Sequence, residues 1–179
     1  MLIVCVIATT IVFAGGTYNV QSAIVIQYEA TEIQGGASAC YTVNGTTTNM
    51  TSDGTSSGAT KLSFDATEET KTQYLKPQVT SFTLVENQPI VFKYTFYNEG
   101  EDFYATLTNG FASQSAIAVS YSTDNSTYTS TIFKDVTITG GHDTEAQTTL
   151  YIKVEIGSLD NDVSCTGSFT WKLSRKQSS

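Results

Sequence analysis

Pro89-Ile-Val-Phe-Lys-Tyr-Thr-Phe-Tyr-Asn-Glu-Gly100 is the stretch that decides how this chain folds. Ile90, Phe92, Tyr94 and Phe96 fall on one face of an extended chain, and Val91, Lys93, Thr95 and Tyr97 fall on the other. Such a period of two, with one wholly apolar face, is the pattern of a strand lying on a core. Pro89 suits the start of that strand, where a missing N–H breaks no ladder bond. Asn98-Glu99-Gly100-Glu101 supplies turn chemistry, and residues 102–108 read as the next strand.

The same vocabulary continues in both directions. Toward the C-terminus, strands are expected at 116–122, 128–133, 136–139, 147–156 and 164–173, with breaks at Asn109-Gly110, Gly140-Gly141 and 157–162. Toward the N-terminus they are expected at 18–33, 39–43, 61–65 and 80–85, with Gly35-Gly36 as a turn. Residues 44–60 are almost entirely Gly, Ser, Thr, Asn and Asp, too polar to offset the entropy of ordering them. They are expected to form a long surface loop. A short helical turn is expected at 66–75. Short strands spaced by ~8–12 residues, with turn signals between them, predict an all-β, antiparallel sandwich of jelly-roll or Ig-like type. There is no internal repeat.

The chain has 179 residues, enough for one domain with a real core. Its net charge of −8 and pI near 4.4 argue against nucleic acid, which rewards basic surfaces. Charged residues make up only 15%, so the polarity comes mainly from uncharged side chains. That is the surface of a secreted or cell-surface β protein more than of a cytosolic enzyme.

Catalytic signals are thin. The single histidine, His142, sits in a Gly-His-Asp turn, so no multi-histidine metal site can be assembled in one subunit. No nucleophile-elbow sequence is present, and the glycine pairs lack the spacing of a phosphate loop. Two acidic turns, Asp160-Asn161-Asp162 and Glu99 with Glu101 and Asp102, carry oxygen ligands of the kind Ca²⁺ takes, but neither matches an EF-hand loop. No cofactor is expected. Three sequons, at Asn44, Asn49 and Asn125, are candidate N-glycosylation sites in a secreted protein. Cys40 and Cys165 fall in predicted strands near opposite ends of the domain, and are either one bridge or two buried thiols. In the entropy model a bridge closing so long a loop contributes about 4–5 kcal/mol.

The opening stretch is of another kind: Met1-Leu-Ile-Val-Cys-Val-Ile-Ala-Thr-Thr-Ile-Val-Phe13, followed by Ala14-Gly15-Gly16. It carries no charge and is dense in β-branched residues. Three readings compete. A signal peptide fits the apolar length and the small residue after Phe13, but a basic n-region is lacking. A helix of fourteen residues would extend ~21 Å, short of a ~30 Å hydrocarbon core. A strand would reach roughly 45 Å, the long dimension of a sandwich. Leu2, Val4, Val6, Ala8, Thr10 and Val12 would line one face, and Ile3, Cys5, Ile7, Thr9, Ile11 and Phe13 the other. A strand apolar on both faces is buried on both faces, and that reading is adopted.

The stretch 89–100, continuing into Phe103-Tyr-Ala-Thr-Leu-Thr108, resembles the core hairpin of the TasA/camelysin-type biofilm-fibre proteins. Val136-Thr-Ile-Thr-Gly-Gly141, Thr148-Thr-Leu-Tyr-Ile-Lys-Val154 and Gly167-Ser-Phe-Thr-Trp-Lys-Leu173 are similar too, as is Gly15-Gly16-Thr17-Tyr18 after the N-terminal strand. The resemblance spans roughly 79–173. It implies assembly as in that family and in the archaeal bundling pili and threads that look like it. There, the N-terminal strand of one subunit completes the sandwich of the next. The organisation expected here is a donor strand with a Gly-Gly hinge (1–16), a sandwich (17–174) completed by a neighbour's donor strand, and a frayed tail (175–179). Leu2, Ile3, Val4, Val6, Ile7, Ile11, Val12 and Phe13 are the expected donor residues. The expected partner is an identical subunit in an extracellular homopolymer, without nucleic acid, without membrane in the mature form and without catalysis. Two alternatives are an archaeal type IV pilin or flagellin-like subunit with an N-terminal helix, and a monomeric secreted surface-binding module.

Overall fold

A computed structural model describes residues 16–27, 35–50, 62–63, 70–85, 88–111, 117–142, 144–157 and 165–175. Among them are eleven strands and no helix: β1 (Gly16–Gln27), β2 (Gly35–Val43), β3 (Thr46–Asn49), β4 (Leu62–Ser63), β5 (Thr70–Leu84), β6 (Ile90–Asn98), β7 (Phe103–Asn109), β8 (Ile117–Ser122), β9 (Val136–Ile138), β10 (Ala146–Ile156) and β11 (Cys165–Arg175). They form two sheets. Sheet I has the order β5-β1-β11-β7-β9, and sheet II the order β3-β2-β6-β10-β8, with β4 also pairing β2. The all-β sandwich expected from the alternation is the fold.

Every pairing is antiparallel except β1 with β11, which run in parallel from Tyr18 opposite Cys165 to Ile26 opposite Leu173. These strands lie at opposite ends of the sequence, so no tight turn obliges them to run antiparallel. The inner faces are filled as the period of two requires. Ile90, Phe92, Tyr94 and Phe96 are buried on β6 while Lys93 between them is exposed. Trp171 on β11 is the hub, with edge-on contacts to Tyr94 and Phe96 at ring separations of 5.3 Å each. Phe92 meets Phe169 edge-on, also at 5.3 Å. These contacts hold β6 and β11 face to face and fix their relative direction. Phe92 lies over Phe169, and Tyr94 and Phe96 over Trp171, so the two strands run the same way.

One polar pair is sealed between the sheets. Ser22 and Tyr94, both essentially inaccessible, join hydroxyl to hydroxyl at 2.9 Å. Burial drives the Tyr94 hydroxyl far above the ordinary phenol range, and the bond to Ser22 offsets this only in part.

Four local expectations are corrected. The stretch 44–60 is not all loop: Asn44 and Gly45, both at positive φ, make a two-residue turn that folds β3 back onto β2. Met50 follows, wholly buried, with its N–H donating to Ala39 O at 2.8 Å. Thr70–Leu84 is strand, where residues 70–75 were expected in a helical turn; pairing with β1 overrides local propensity there. Gly35 and Gly36 are not a turn but the first residues of β2, and Gly16 is the first residue of β1, opposite Leu84, rather than half of a hinge. At Gly35 there is no room for a side chain, because a Cβ would overlap the Tyr97 carbonyl.

The largest correction concerns connectivity. Residues 89–108 do not form a hairpin, since β6 and β7 belong to different sheets. From β5 onward each strand lies in the sheet opposite its predecessor, and β2–β3 is the one hydrogen-bonded pair of consecutive strands described. The reason lies in Asn98. Its buried amide donates to Glu101 O (2.9 Å) and Ile138 O (3.2 Å), and its Oδ1 accepts from Gly100 N (3.0 Å). Asp102 Oδ1 accepts from Gly140 N at 2.7 Å. The Asn-Glu-Gly segment is thus a corner between sheets, pinned to the end of β9, and not a hairpin tip.

Candidate functional site

A sandwich meets other chains through its edges, where backbone groups lack partners. The edges here differ sharply. β5 borders sheet I on one side, and its ladder with β1 is broken where Gln21 pairs Val79 and Ala23 pairs Tyr74. Residues 75–78 thus face Ser22 alone, and Pro77 among them removes a donor. A bulge and a proline blunt this edge. β9 borders the other side and is only three residues long, beside the seven of β7. Along sheet II, β2 is flanked by β3 and β4, which are four and two residues long. The described β3 side chains are Thr and Asn, and Thr46, Thr47 and Thr48 are exposed.

β8 is different. Its six residues, Ile-Ala-Val-Ser-Tyr-Ser, contain no charge and no proline. Pairing with β10 aligns Ile117 with Ile156, Val119 with Val154 and Tyr121 with Ile152, so all three point toward the core. Tyr121 is buried, but Ile117 and Val119 are only half covered. Tyr121 also exchanges two bonds with Thr129 on the side away from β10, at 2.8 and 2.9 Å. In an extended chain the groups of residues i and i−2 point the same way. The N–H and C=O of Val119 and Ile117 therefore point outward, where no described strand pairs with them.

Residues 129–135, part of which was expected to be strand, instead cross this flank as a strap. After Thr129 the chain passes to sheet I, where Phe133 O accepts from Leu107 N at 2.9 Å. The strap lodges Phe133 between Tyr121 (5.6 Å) and Trp171 (5.8 Å). It ends at Asp135, which has positive φ and is tied to Thr106 by two bonds, N–H to Oγ1 (3.0 Å) and Oγ1–H to Oδ1 (2.9 Å). The strap closes one flank, and beyond it no described strand pairs with the outer edge of β8 from Ile117 to Ser120.

Of the described apolar side chains packed half-covered on the core, all but Val136 gather at one pole. Tyr41, Val43, Phe111, Ile117 and Val119 all pack on the core margin. By register they share the end of the sandwich at which β1 begins, with Tyr18 beside Cys165, Phe111 on Phe169 (5.1 Å) and Ile117 beside Ile156. β1 thus begins at the end of the sandwich where these partly covered apolar side chains lie.

The donor residues Leu2, Ile3, Val4, Val6, Ile7, Ile11, Val12 and Phe13 lie outside the described residues. The bridge between Cys40 and Cys165 is not made: Cys40 is a free thiol. It alternates with Ala39 and Tyr41, which face the core, so it projects from the outer face of sheet II, while Cys165 opens β11 in the other sheet. A disulfide spans no such gap. Burial raises the Cys40 thiol pKa, and Lys93 opposite lowers it by less.

Asn44 occupies the exposed β2–β3 turn, its Nδ2 donating to Gln88 Oε1 at 2.8 Å. Asn49 is half-buried opposite Cys40, immediately before buried Met50. Asn125 is exposed, and its Oδ1 accepts from the Tyr128 hydroxyl at 2.6 Å. Its turn is organised by Asp124, whose carboxylate accepts from the N–H groups of Thr127 (2.9 Å) and Ser126 (2.8 Å) and from the Ser122 hydroxyl (2.8 Å). Those bonds, the Thr127 N–H foremost, hold Asp124 well below the usual carboxylate range.

Of the acidic turns, 160–162 lies outside the described residues. In the other, Asp102 serves the Gly140 N–H, and Glu101 lies 3.5 Å from His142 Nδ1, both side chains well exposed. No group of three or more potential metal ligands occurs among the described residues, and no described helix is long and apolar enough to cross a membrane. The Asn98 corner, the strap and the exposed β8 edge were not foreseen from sequence. Among the described residues, the fold and its edges define a two-sheet β-sandwich with one unblunted apolar edge. Neither a family model nor a curated protein matches the chain.

Proposed function

We propose that this protein is the structural subunit of an extracellular filament built by donor-strand complementation, used for adhesion or contact between cells. The observation that carries this reading is a pairing of unlike parts. A leading segment apolar on both faces adjoins a sandwich that keeps an uncharged edge strand half-covered. A strand of that kind gains by burial in another sheet, through main-chain bonds and through side chains in alternate pockets. At ~1.5–3 kcal/mol per large apolar side chain buried, Ile3, Ile7, Ile11 and Phe13 contribute on the order of 10 kcal/mol gross per junction. The contact is heterologous and does not close, so it propagates as a fibre. Polar outer faces rich in Ser and Thr, and sequons at the exposed Asn44 and Asn125, accord with an extracellular setting.

The test is removal of residues 1–15. The intact chain is expected to form fibres visible by negative-stain microscopy. The truncated chain is expected to remain a folded monomer that gains thermal stability when a synthetic peptide of residues 1–15 is added. A truncated domain that polymerises as before, or an intact chain that stays monomeric in all conditions, sinks the proposal.

A further inference from the structure

Resting on that reading, the location and direction of the junction follow from the edges. We propose that the outer edge of β8, over Ile117 to Ser120, receives residues 2–13 of a second copy as a strand parallel to β8.

The edge follows from comparison. The β5 edge is interrupted by the 75–78 bulge and Pro77. β3 presents exposed threonines and has no apolar face to extend. β9 is three residues long and directly follows Lys134 and Asp135, both exposed. Among the described edges, β8 alone combines outward-pointing backbone groups at Ile117 and Val119 with core-facing side chains that are not fully covered. An incoming strand would extend the row Ile156–Ile117 and Val154–Val119 by one more apolar residue each, covering what remains exposed.

The direction follows from strand polarity. β1 and β11 are parallel. Phe92 over Phe169 and Tyr94 over Trp171 make β6 run with β11. β10 opposes β6 and β8 opposes β10, so β8 runs with β1. Fifteen residues precede β1 and leave from the pole where it starts. In an open head-to-tail fibre all copies share one polarity. A segment continuing the line of β1 into the next copy therefore runs there as that copy's own β1 does, and alongside β8 that is parallel. Twelve residues extend ~40 Å, so the segment outspans Ile117 to Ser120 of β8, and its first residues would reach the pole marked by Phe111.

Two experiments test this on the full-length chain. Val119→Pro removes an N–H that points away from β10, so the β8–β10 ladder is kept. The variant is expected to fold, judged by far-UV circular dichroism, and to lose pelletable fibres. Should the proline prevent folding, cysteine pairs decide instead. In a background with the three native cysteines changed to alanine, Ala118→Cys is combined in turn with Leu2→Cys, Val4→Cys and Val6→Cys. At least one pair is expected to give an intermolecular disulfide ladder on a non-reducing gel, and the same donor positions combined with Thr47→Cys on β3 are expected to give none. Ladders through Thr47 but not Ala118, or fibres from folded V119P equal to wild type, would overturn the β8 assignment and leave the filament reading intact. Absence of fibres from the unaltered chain would remove both.

Discussion

Replacing Asn98 by alanine should unfasten the corner on which the alternation between sheets depends. The side chain is fully buried and makes three hydrogen bonds, to Glu101 O, Ile138 O and Gly100 N. Each neutral bond contributes about 1 kcal/mol net, and a buried partner left unsatisfied costs about 1–3 kcal/mol more. Ile138 is itself inaccessible, so its carbonyl is the group least able to turn to water. The expected loss is roughly 3–5 kcal/mol, which for a chain of this size lowers the thermal midpoint by about 6–20 °C. Asn98→Asp is the informative companion. It keeps an acceptor for Gly100 N but offers no donor, and it sets a carboxylate against the carbonyls of Glu101 and Ile138. It should therefore be at least as damaging at neutral pH and recover partly when acid protonates it. The assay is urea unfolding followed by tryptophan fluorescence, with Trp171 as the reporter. A loss below ~1 kcal/mol for N98A, or an aspartate variant as stable as wild type, would refute the idea that these bonds hold the corner.

Gly167→Ala should destabilise by about 1–3 kcal/mol, since a Cβ there would overlap the Phe111 ring packed on Phe169; a neutral result in thermal melts would mean the ring shifts freely. Tyr94 predicts an alkaline limit. Its folded pKa is raised above the unfolded value, so the stability it contributes is whole below about pH 10 and declines above it by up to ~1.4 kcal/mol per pH unit; Tyr94→Phe should flatten that part of a pH–stability curve, and an unchanged slope would contradict it. Asp124 acts in the opposite sense. Its folded pKa is depressed, so its contribution is present above the unfolded carboxylate range near pH 4 and fades as pH falls. Asp124→Ala should loosen the 122–128 turn, seen as faster amide exchange at Ser126 and Thr127, and exchange equal to wild type would show that the carboxylate does not organise it.

What the sequence determined by itself was the class of structure and the sidedness of its strands. Ile90 to Phe96 alternate because a pleated chain sends successive side chains to opposite faces, and that geometry is local. The same alternation places Phe169, Trp171 and Leu173 in the core and Lys172 outside it. Which strand lies beside which was not legible. Residues 89–108 have the local signs of a hairpin, yet the chain crosses to the other sheet, because a buried Asn98 ties its corner to Ile138, forty residues on. Thr46 to Asn49 became strand against their own polarity, since a two-residue Asn-Gly turn delivers them to the edge of β2. Residues 129–135 contain strand-like residues but became a strap, because Phe133 fills a space between Tyr121 and Trp171 that only the assembled sandwich creates. Cys40 and Cys165 could be judged only once the sheets were in place, the decisive fact being that Cys40 alternates with core-facing neighbours and so points away from the other sheet. The apolar character of the opening segment is written in its residues; an edge that could receive it exists only in three dimensions, because edges are made by what a strand fails to pair with.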